Sequence, residues 1–331
     1  MFDRRSFLGL GSCALGYAAL GCPSAGASGT LAYPGVNLAG GEFGTGNQLY
    51  YDYIYPSEKQ VAYYASRGLR MLRVPVKSNR LVVGGKANLV DIGILKSIVN
   101  AAAAYNIRVL IDMHEYALRP DGTPMNDWDA PGFRAKWRII AAEFRSSWNV
   151  WFGLMNEPYV QTPEAWFRLA NAGIAGIREV APDHFITVMG SRWGTADGWI
   201  SSGNAAASAM LSDPSNRLII EMHQYFDNAG GVPTMPVVSG LGATSLVEAT
   251  NWARAHHKKL FLGEFGTTAD PTYLDEGRAL LRYMYANSDV WMGYTYWAGG
   301  RWWQNYGFSI EPANLDAPAD RPQMWMLRAF M

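Results

Sequence analysis

Two glutamates follow apolar stretches that are typical of buried β-strands. Glu157 comes after the run 150–155, and Glu264 ends the run 259–263. Pro158 lacks a backbone N–H, so we expect the first of these strands to stop there. In a barrel of parallel strands, the C-terminal strand ends carry the catalytic groups. Both carboxylates are therefore predicted to lie on one face of the fold.

A pair of carboxyl groups at neighbouring strand ends is what glycoside hydrolysis requires. One protonates the leaving oxygen, and the other acts as nucleophile or base. Either glutamate alone could equally be a solvated loop side chain. Other residues at predicted strand ends favour the catalytic interpretation, because burying unpaired polar groups is costly. These residues, which we expect to cluster around the two carboxylates, are Arg73, His114, Asn156, His223, Tyr225 and Trp297.

The elements that must position these residues alternate regularly. Predicted strands cover 33–38, 69–76, 107–114, a fourth from 150 that carries Glu157, 184–189, 217–225, 260–264 and 290–297. Helical patterns separate these strands. The first begins at Ser57, with Gln60 three residues later as in a capping box. The others cover 89–105, 131–148, 162–180, 245–257, 271–286 and 321–330. A long polar loop, 115–130, follows the third strand. Eight β-then-α units predict a single-domain α/β protein, a (β/α)8 TIM barrel.

The composition describes a globular protein without a charge bias. The 331 residues include 28 basic and 28 acidic ones, and 17% are charged against 49% hydrophobic, which argues against disorder. Zero net charge also argues against a nucleic-acid partner or a membrane surface, since either would leave a basic footprint. The 13 Trp and 18 Tyr are unusual, and those in loops near strand ends suit a flat sugar-binding cleft.

Residues 1–27 are predicted to be an export signal. Arg4 and Arg5 form a twin arginine, and residues 8–21 form an apolar stretch that is rich in Gly and Ala and shorter than a membrane span. Small residues then offer a cleavage site after about Ala27. The pattern resembles a bacterial twin-arginine signal, so we expect a secreted or periplasmic protein with no stable membrane span.

Both cysteines, Cys13 and Cys22, lie within this signal. The predicted catalytic domain, 28–331, therefore contains no disulfide. That is unusual for an exported protein, but it fits a route that moves folded chains. Residues 19–21 before Cys22 loosely resemble a lipoprotein processing site, so lipid anchoring at Cys22 is the alternative to cleavage.

Six short motifs resemble those of glycoside hydrolase family 5, and they occur in the family's order. They are Arg73-Val74-Pro75, Asp112-Met113-His114, Asn156-Glu157-Pro158, His223-Gln224-Tyr225, Gly263-Glu264-Phe265-Gly266 and Tyr296-Trp297. One tripeptide is weak support, but six in order across the mature chain are specific. The likeness is greatest to cellulase-type endo-β-1,4-glucanases, in the branch that includes fungal endoglucanases.

The resemblance implies a retaining hydrolase of β-1,4-glycosidic bonds, with Glu157 as general acid/base and Glu264 as nucleophile. Asn156 would hydrogen-bond the 2-hydroxyl of the substrate, a contact that strengthens in the transition state. Arg73 would lie beneath Glu264 and keep it ionised by opposite charge. Tyr225 would donate a hydrogen bond to the same carboxylate.

The resemblance also implies how the sugar is held. His114 and His223 would line the subsite of the reacting sugar, and Trp297 would form its stacking floor. Trp193 and Trp302 are expected to add sugar contacts, although Trp302 could equally pack as part of a lid. No group of residues has the spacing of metal ligands, so we expect neither a metal nor a cofactor. The expected partner is a β-glucan polysaccharide or oligosaccharide, bound by a monomer.

Several alternatives stay open at this point. A β-mannanase or another β-glucan hydrolase would carry the same catalytic residues, because specificity lies in loops such as 115–130 and 298–306. An inactive carbohydrate-binding protein is a different class, although the presence of both glutamates argues against it. Glu221 could be taken for the nucleophile, but it precedes a strand end. Glu115 stands where family members often carry Asn, which leaves its role open.

Overall fold

The computed structural model describes residues 29–331, and a closed barrel of parallel strands forms its centre. The strands of the barrel are β1 Tyr33–Leu38, β2 Met71–Val76, β5 Arg108–Met113, β6 Val150–Gly153, β7 Ile186–Met189, β8 Leu218–His223, β9 Leu260–Glu264 and β10 Trp291–Gly299. Strand β10 pairs with β1 and closes the ring. The remaining two strands, β3 Val82–Val83 and β4 Lys86–Ala87, form a short antiparallel hairpin outside it. The predicted (β/α)8 barrel is confirmed.

Helices connect most of the barrel strands and cover the outside of the ring. They are α1 Glu58–Ser66, α2 Ser78–Leu81, α3 Leu89–Ala104, α4 Ala130–Phe144, α5 Pro163–Arg178, α6 Asn204–Ala207, α7 Leu241–Thr244, α8 Val247–Ala255, α9 Pro271–Ala286 and α10 Pro322–Arg328. The capping box of Ser57 and Gln60 at α1 is present as predicted. Thr162 caps α5, whose first position is Pro163.

The interior of the barrel changes from apolar to polar along its axis. Near the N-terminal ends of the strands, a buried apolar cluster is formed by Met71, Leu110, Trp151, Ile219 and Phe261. Successive residues of a strand face opposite sides of the sheet. The residues two positions later therefore face inward one layer higher, and they are Arg73, Asp112, Gly153, Glu221 and Gly263. The apolar layer closes the barrel floor, and the polar layer lies directly beneath the mouth.

Strand β6 is shorter than predicted. It ends at Gly153, so Glu157 lies in the loop beyond the strand rather than at its end. The N–H of Leu154 still bonds to the carbonyl of Thr187 at 3.1 Å. Glu157 then adopts a left-handed backbone conformation with φ of 42°, which is incompatible with a continued strand. The chain therefore turns before Pro158, the expected terminator, is reached.

Other boundaries differ in smaller ways. The helix predicted at 245–257 is confined to Val247–Ala255, with the separate short helix α7 before it, and the β3–β4 hairpin was not predicted. Within residues 29–331, no helix has both the length and the apolar character needed to cross a membrane. The export signal lies outside the described residues, so the domain boundary at 28 and the fate of Cys22 stay predictions.

Candidate active site

The two glutamates singled out in the sequence meet at the C-terminal mouth of the barrel. Glu264 is the last residue of β9, and it pairs in register with His223, the last residue of β8. Glu157 reaches the same place from the loop after β6. One oxygen of each carboxyl group and one nitrogen of His223 all lie within 4.8 Å of one another. Three separate segments of the chain therefore contribute to one compact cluster.

Glu264 is held from two sides. Its Oε1 accepts a hydrogen bond of 2.9 Å from Nη1 of Arg73, and its Oε2 accepts one of 2.8 Å from the Tyr225 hydroxyl. Burial raises the pKa of Glu264, His223 and Arg73 lower it, and the nearby Glu157 raises it. The sequence predicted that Arg73 would keep this carboxylate ionised. Arg73 acts in that direction, but burial outweighs it and the net pKa is above the ordinary value.

Arg73 is a buried charge shared by several partners, and its side chain is 0% exposed. Nη1 also donates to Oδ1 of Asn37 at 2.9 Å, and Nη2 donates to Oδ1 of Asn156 at 2.7 Å. Ionic contacts of 3.2 Å and 3.0 Å reach Asp112 and Glu221. Burial disfavours the guanidinium charge, yet these carboxylates hold the pKa of Arg73 above its ordinary value. The arginine is thus fixed as a cation beneath the mouth.

Glu157 is more open to solvent than Glu264, with side-chain exposures of 16% and 5%. Its Oε1 accepts a hydrogen bond of 2.7 Å from Nδ1 of His223. Its backbone N–H contacts the sulfur of Met189 at 3.0 Å. A left-handed conformation is uncommon for a residue with a side chain, and such conformations concentrate at functional sites. The turn places this carboxyl where a substrate from solvent can reach it.

His223 carries a positive charge at neutral pH. Burial opposes that charge, but Glu264, Glu157 and Glu221 raise the pKa of His223 to about 9. Its Nδ1 therefore bears a proton and donates it to Oε1 of Glu157, while the same nitrogen lies 3.5 Å from Oε2 of Glu264. Hydrogen bonding thus accounts for the close approach of these three residues, and the expected absence of a metal stays a prediction.

Asn156 connects Arg73 to His114. Because arginine can only donate, Oδ1 of Asn156 must face Arg73, and Nδ2 faces Nε2 of His114 at 3.1 Å. That Nε2 then accepts, so the proton of the ring lies on Nδ1, 2.9 Å from Oδ2 of Asp112. Burial lowers the pKa of His114 while Asp112 raises it, and the net direction is upward. The chain of donors nevertheless requires the neutral ring, and we assign His114 that form.

Trp297 offers a ring beside this cluster. It is half-buried and stacks on His114, with ring centroids 5.7 Å apart and an angle of 15°. Trp303, and not Trp302, packs against Trp297 edge-on at 5.7 Å. Trp303 also stacks on Tyr306 at 4.3 Å. Trp302 is half-buried, and its contact with sugar stays a prediction.

Trp193 lies next to Glu157 on the other flank of the loop after β6. The backbone N–H of Trp193 donates to the carbonyl of Pro158 at 3.1 Å. Trp193 is 45% exposed, and its ring stacks on Tyr159, with centroids 4.2 Å apart and planes at 5° to each other. A flat, exposed ring pair beside a candidate catalytic carboxyl is suited to packing against a sugar face.

Glu115 does not join the cluster. Its Oε1 accepts from the N–H of Ser78 at 3.1 Å, and Lys136 donates to the Ser78 hydroxyl at 3.0 Å. Burial raises the pKa of Glu115. It lines a separate cavity of about 260 Å³ beneath the loop 115–130, with Met113 and Met155. Asp112 and Glu221, by contrast, contact Arg73 beneath the candidate pair.

From the sequence, four buried residues were not placed in the cluster: Asn37, Asp112, Thr187 and Glu221, of which Glu221 was considered only as an alternative nucleophile. A usable signal was present for two of them. Asp112 and Glu221 lie two positions before His114 and His223, so alternation along β5 and β8 turns them to the same inner face. Asn37 is the residue before the end of β1, and its amide nitrogen donates to the carbonyl of Gly263 at 2.8 Å. That contact ties β1 to the strand of Glu264.

The chemistry available here is proton transfer combined with nucleophilic attack. Glu264 is buried and carries cationic and hydroxyl donors on its two oxygens, as a carboxylate nucleophile requires. Glu157 is partly exposed and accepts from a histidine, as a group that exchanges protons with substrate and water requires. The histidines, the amide and the tryptophans around them can orient a polyhydroxylated ring.

Known proteins share this chain's sequence and fold. Residues 31–300 match the family Cellulase (glycosyl hydrolase family 5). Endoglucanase gh5-1 of Neurospora crassa is 36% identical, and the match covers 86% of this chain and 74% of that protein. Endo-beta-1,4-glucanase A of Emericella nidulans is 34% identical, and the match covers 89% of this chain and 91% of that protein.

A solved structure gives the same result. XacCel5A in complex with cellopentaose superimposes with a TM-score of 0.86 at 35% sequence identity, over 91% of this chain and 99% of that one. The match covers the whole barrel, and the expected family resemblance is confirmed. The chain belongs to the cellulase family of glycoside hydrolases, glycosyl hydrolase family 5.

Proposed function

We propose that this glycoside hydrolase is a retaining endo-β-1,4-glucanase, with Glu264 as nucleophile and Glu157 as general acid/base. The observation that carries the proposal is the approach of the two carboxyl groups, whose nearest oxygens lie within 4.8 Å. Retaining pairs are about 5–5.5 Å apart, whereas inverting pairs keep about 6.5–9.5 Å to admit a water. The close approach of the oxygens fits the shorter, retaining separation, and on that basis we propose a covalent intermediate rather than direct attack by water.

The reaction then takes two displacements. In the first, the Glu264 carboxylate attacks the anomeric carbon, the bond to the leaving sugar breaks, and Glu157 gives its proton to the leaving oxygen. In the second displacement, a water molecule attacks the same carbon, and Glu157 accepts a proton from that water. The bond to Glu264 breaks, and both carboxyl groups return to their starting states.

The surrounding side chains have distinct parts in this proposal. Tyr225 and Arg73 donate to the oxygens of Glu264 and orient it toward the anomeric carbon. Asn156 is held by Arg73 through Oδ1 at 2.7 Å, which leaves its amide hydrogens for His114 and for the 2-hydroxyl of the sugar. Trp297 forms the floor of the subsite.

The substrate in this proposal is a β-1,4-glucan chain that the enzyme cuts internally. The relatives described above are named endoglucanases, and the structure of XacCel5A is that of a complex with cellopentaose. Trp193 and Trp302 would contact sugars beyond the reacting one, and His223 would help to line the reacting subsite. We propose that a monomer acts without a cofactor and reaches its substrate through a twin-arginine export signal at 1–27, outside the described residues.

The test is a comparison of polymers with the exported enzyme. Viscosity of carboxymethyl-cellulose should fall faster than reducing ends appear, because internal cuts shorten chains before they release small sugars. Mannan, xylan and lichenan serve as parallel substrates. Release of glucose or cellobiose at nearly constant viscosity would contradict the endo mode, and activity on mannan alone would make the enzyme a β-mannanase.

A further inference from the structure

A third glutamate lies directly beneath the candidate catalytic pair. Glu221 is on β8, two residues before His223, and it is 2% exposed. Its Oε2 accepts a hydrogen bond from the Thr187 hydroxyl of β7. A Cβ at position 263 would lie 2.1 Å from its Oε1, so glycine at 263 on β9 leaves the room that this carboxylate occupies.

The other oxygen of Glu221 faces two cations. Oε1 lies 3.0 Å from Nε of Arg73 and 3.7 Å from Nε2 of His223. Among the described residues, these three atoms are buried and form no hydrogen bond. Their attraction is therefore ionic. A buried carboxylate between two cations lowers the energy of both charges where no water can do so.

Those two cations are the ones that touch the candidate catalytic carboxyls. Arg73 donates to Glu264 at 2.9 Å, and His223 donates to Glu157 at 2.7 Å. Glu221 reaches each glutamate through one intermediary and itself has no opening to the cleft. A change at Glu221 thus alters the charge and direction of the donors without removing any substrate contact.

We propose that Glu221 is a positioning residue that fixes both Arg73 and His223 as the oriented cations that serve Glu264 and Glu157. The proposal rests on the proposed catalytic roles of those two glutamates. Arg73, in the same layer as Glu221, and His223, one layer above, carry the positive charges, and Glu221 supplies the balancing negative charge. The pKa of Glu221 agrees with this part: burial raises it, but Arg73 and His223 lower it to about 2, so the group stays ionised throughout the working range.

Other charged groups face the same histidine and must be counted in any pH effect. The groups that face His223 are Glu264 from β9, Glu157 from the loop after β6 and Glu221 from its own strand. Arg73 contacts Glu221, and Asp112 contacts Arg73. Glu221→Gln removes one of three carboxylates next to the imidazole. The titration of His223 should therefore move to lower pH while the other two carboxylates remain.

The test is Glu221→Gln in the full chain, since glutamine keeps the shape and can still accept from Thr187. We expect kcat on a soluble cellulose derivative to fall roughly 10- to 100-fold, the worth of a contact to a charged group, with KM unchanged. The alkaline limb of the kcat profile and the NMR titration of His223 should both move to lower pH. Glu221→Asp keeps the charge and should restore the titration in part.

A matched control separates charge from general damage. Glu276 is also buried, at 8% exposed, but it accepts from the backbone N–H groups of Gly240 and Gly242. Glu276→Gln should leave the pH profile and the His223 titration at the parent values. If Glu221→Gln does not fold, Glu221→Asp takes its place, because the shorter side chain withdraws the carboxylate from Arg73 and His223 and should give a smaller shift in the same direction.

A folded Glu221→Gln enzyme with the parent's His223 titration and pH profile would overturn the proposal. If Glu221→Asp has to serve instead, a titration identical to the parent's would overturn it equally. The NMR readout does not depend on the substrate. A failure of the proposed glucanase activity would therefore be seen separately, as a parent enzyme that cuts no β-1,4-glucan while His223 still responds to Glu221.

Discussion

Arg73 and Glu264 form an ion pair of 2.9 Å in which the two side chains are 0% and 5% exposed. Such a pair is costly to desolvate, but breaking it is costlier because an uncompensated charge is left in the interior. Arg73 also contacts Asp112, Asn37 and Asn156. One guanidinium thus joins barrel stability to the orientation of the candidate nucleophile.

Arg73→Lys should impair both properties. The ammonium keeps the charge but lacks the planar fork that reaches several acceptors at once. We expect the free energy of unfolding to fall by about 3 kcal/mol, measured by urea denaturation, and kcat to fall at least ~100-fold. The control is Arg254→Lys, whose pair with Asp289 is 46% and 57% exposed, and which should cost under about 1 kcal/mol. Equal effects of the two changes would contradict a central role for Arg73.

Tyr225→Phe should slow catalysis with little effect on folding. The change removes the 2.8 Å hydrogen bond to Oε2 of Glu264, which favours the ionised carboxylate. Its loss should raise the pKa of Glu264 further, so activity should disappear at a higher pH as the solution is acidified. We expect kcat to fall roughly 10- to 100-fold. The control is Tyr273→Phe, which removes a hydroxyl that donates to the carbonyl of Met235 and should leave the acid limb of the kcat–pH profile unchanged. An unchanged acid limb in Tyr225→Phe would contradict the role of Tyr225.

Stability should decline between about pH 6.5 and pH 9. The folded-state pKa of His223 is raised to about 9, from about 6.5 in an unfolded chain. A raised histidine pKa gives stability that is fully present below the unfolded value and is lost as pH rises through the folded value. Urea denaturation across this range should show the decline in the parent and a smaller one in His223→Asn.

The control for that experiment is another buried histidine. Burial lowers the pKa of His184, so its contribution changes below about pH 6.5 and has the opposite sign. His184→Asn should therefore leave the decline between about pH 6.5 and pH 9 unaltered. An identical decline in the parent and in His223→Asn would show that another group causes it.

The export signal can be tested independently of the barrel. Replacing Arg4 and Arg5 with Lys should leave precursor in the cytoplasm, because the receptor reads the twin arginine. The measurement is immunoblotting of fractionated cells together with the N-terminal sequence of the exported form. Normal export of the variant would remove this assignment, and a lipid-modified Cys22 at the N-terminus would replace cleavage after about Ala27.

Much of the fold could be predicted from the sequence because each signal was local. Strand β1 at Tyr33–Leu38, strand β9 at Leu260–Glu264 and helix α9 at Pro271–Ala286 have the predicted bounds. Alternation and capping depend on near neighbours in the chain, so a single sequence carries them. The predicted end of β6 was wrong because the left-handed conformation of Glu157 is imposed by the tertiary packing of the site. Such a conformation has no signal in the neighbouring sequence.

The part of the candidate site that could be predicted consists of the residues at predicted strand ends. Arg73, Glu264 and Tyr225 lie in contact because parallel strands bring their C-terminal ends together. The contacts of Asp112 and Glu221 with Arg73 were not predicted: Asp112 entered only as part of a motif and Glu221 only as an alternative nucleophile, since a carboxylate within a strand is indistinguishable from a surface residue until the barrel closes. The packing of Trp303 rather than Trp302 against Trp297 depends on the path of a loop, which no periodicity specifies.

The most direct measurement of the central claim is the stereochemistry of azide rescue. Glu157→Ala should still form the glycosyl ester from substrates with good leaving groups, because these need no proton, and azide should then release a β-glycosyl azide. Glu264→Gly lacks the nucleophile, so azide should attack once and give the α-product. Swapped products would reverse the two roles, and an inverted sugar from the parent enzyme would rule out the double displacement.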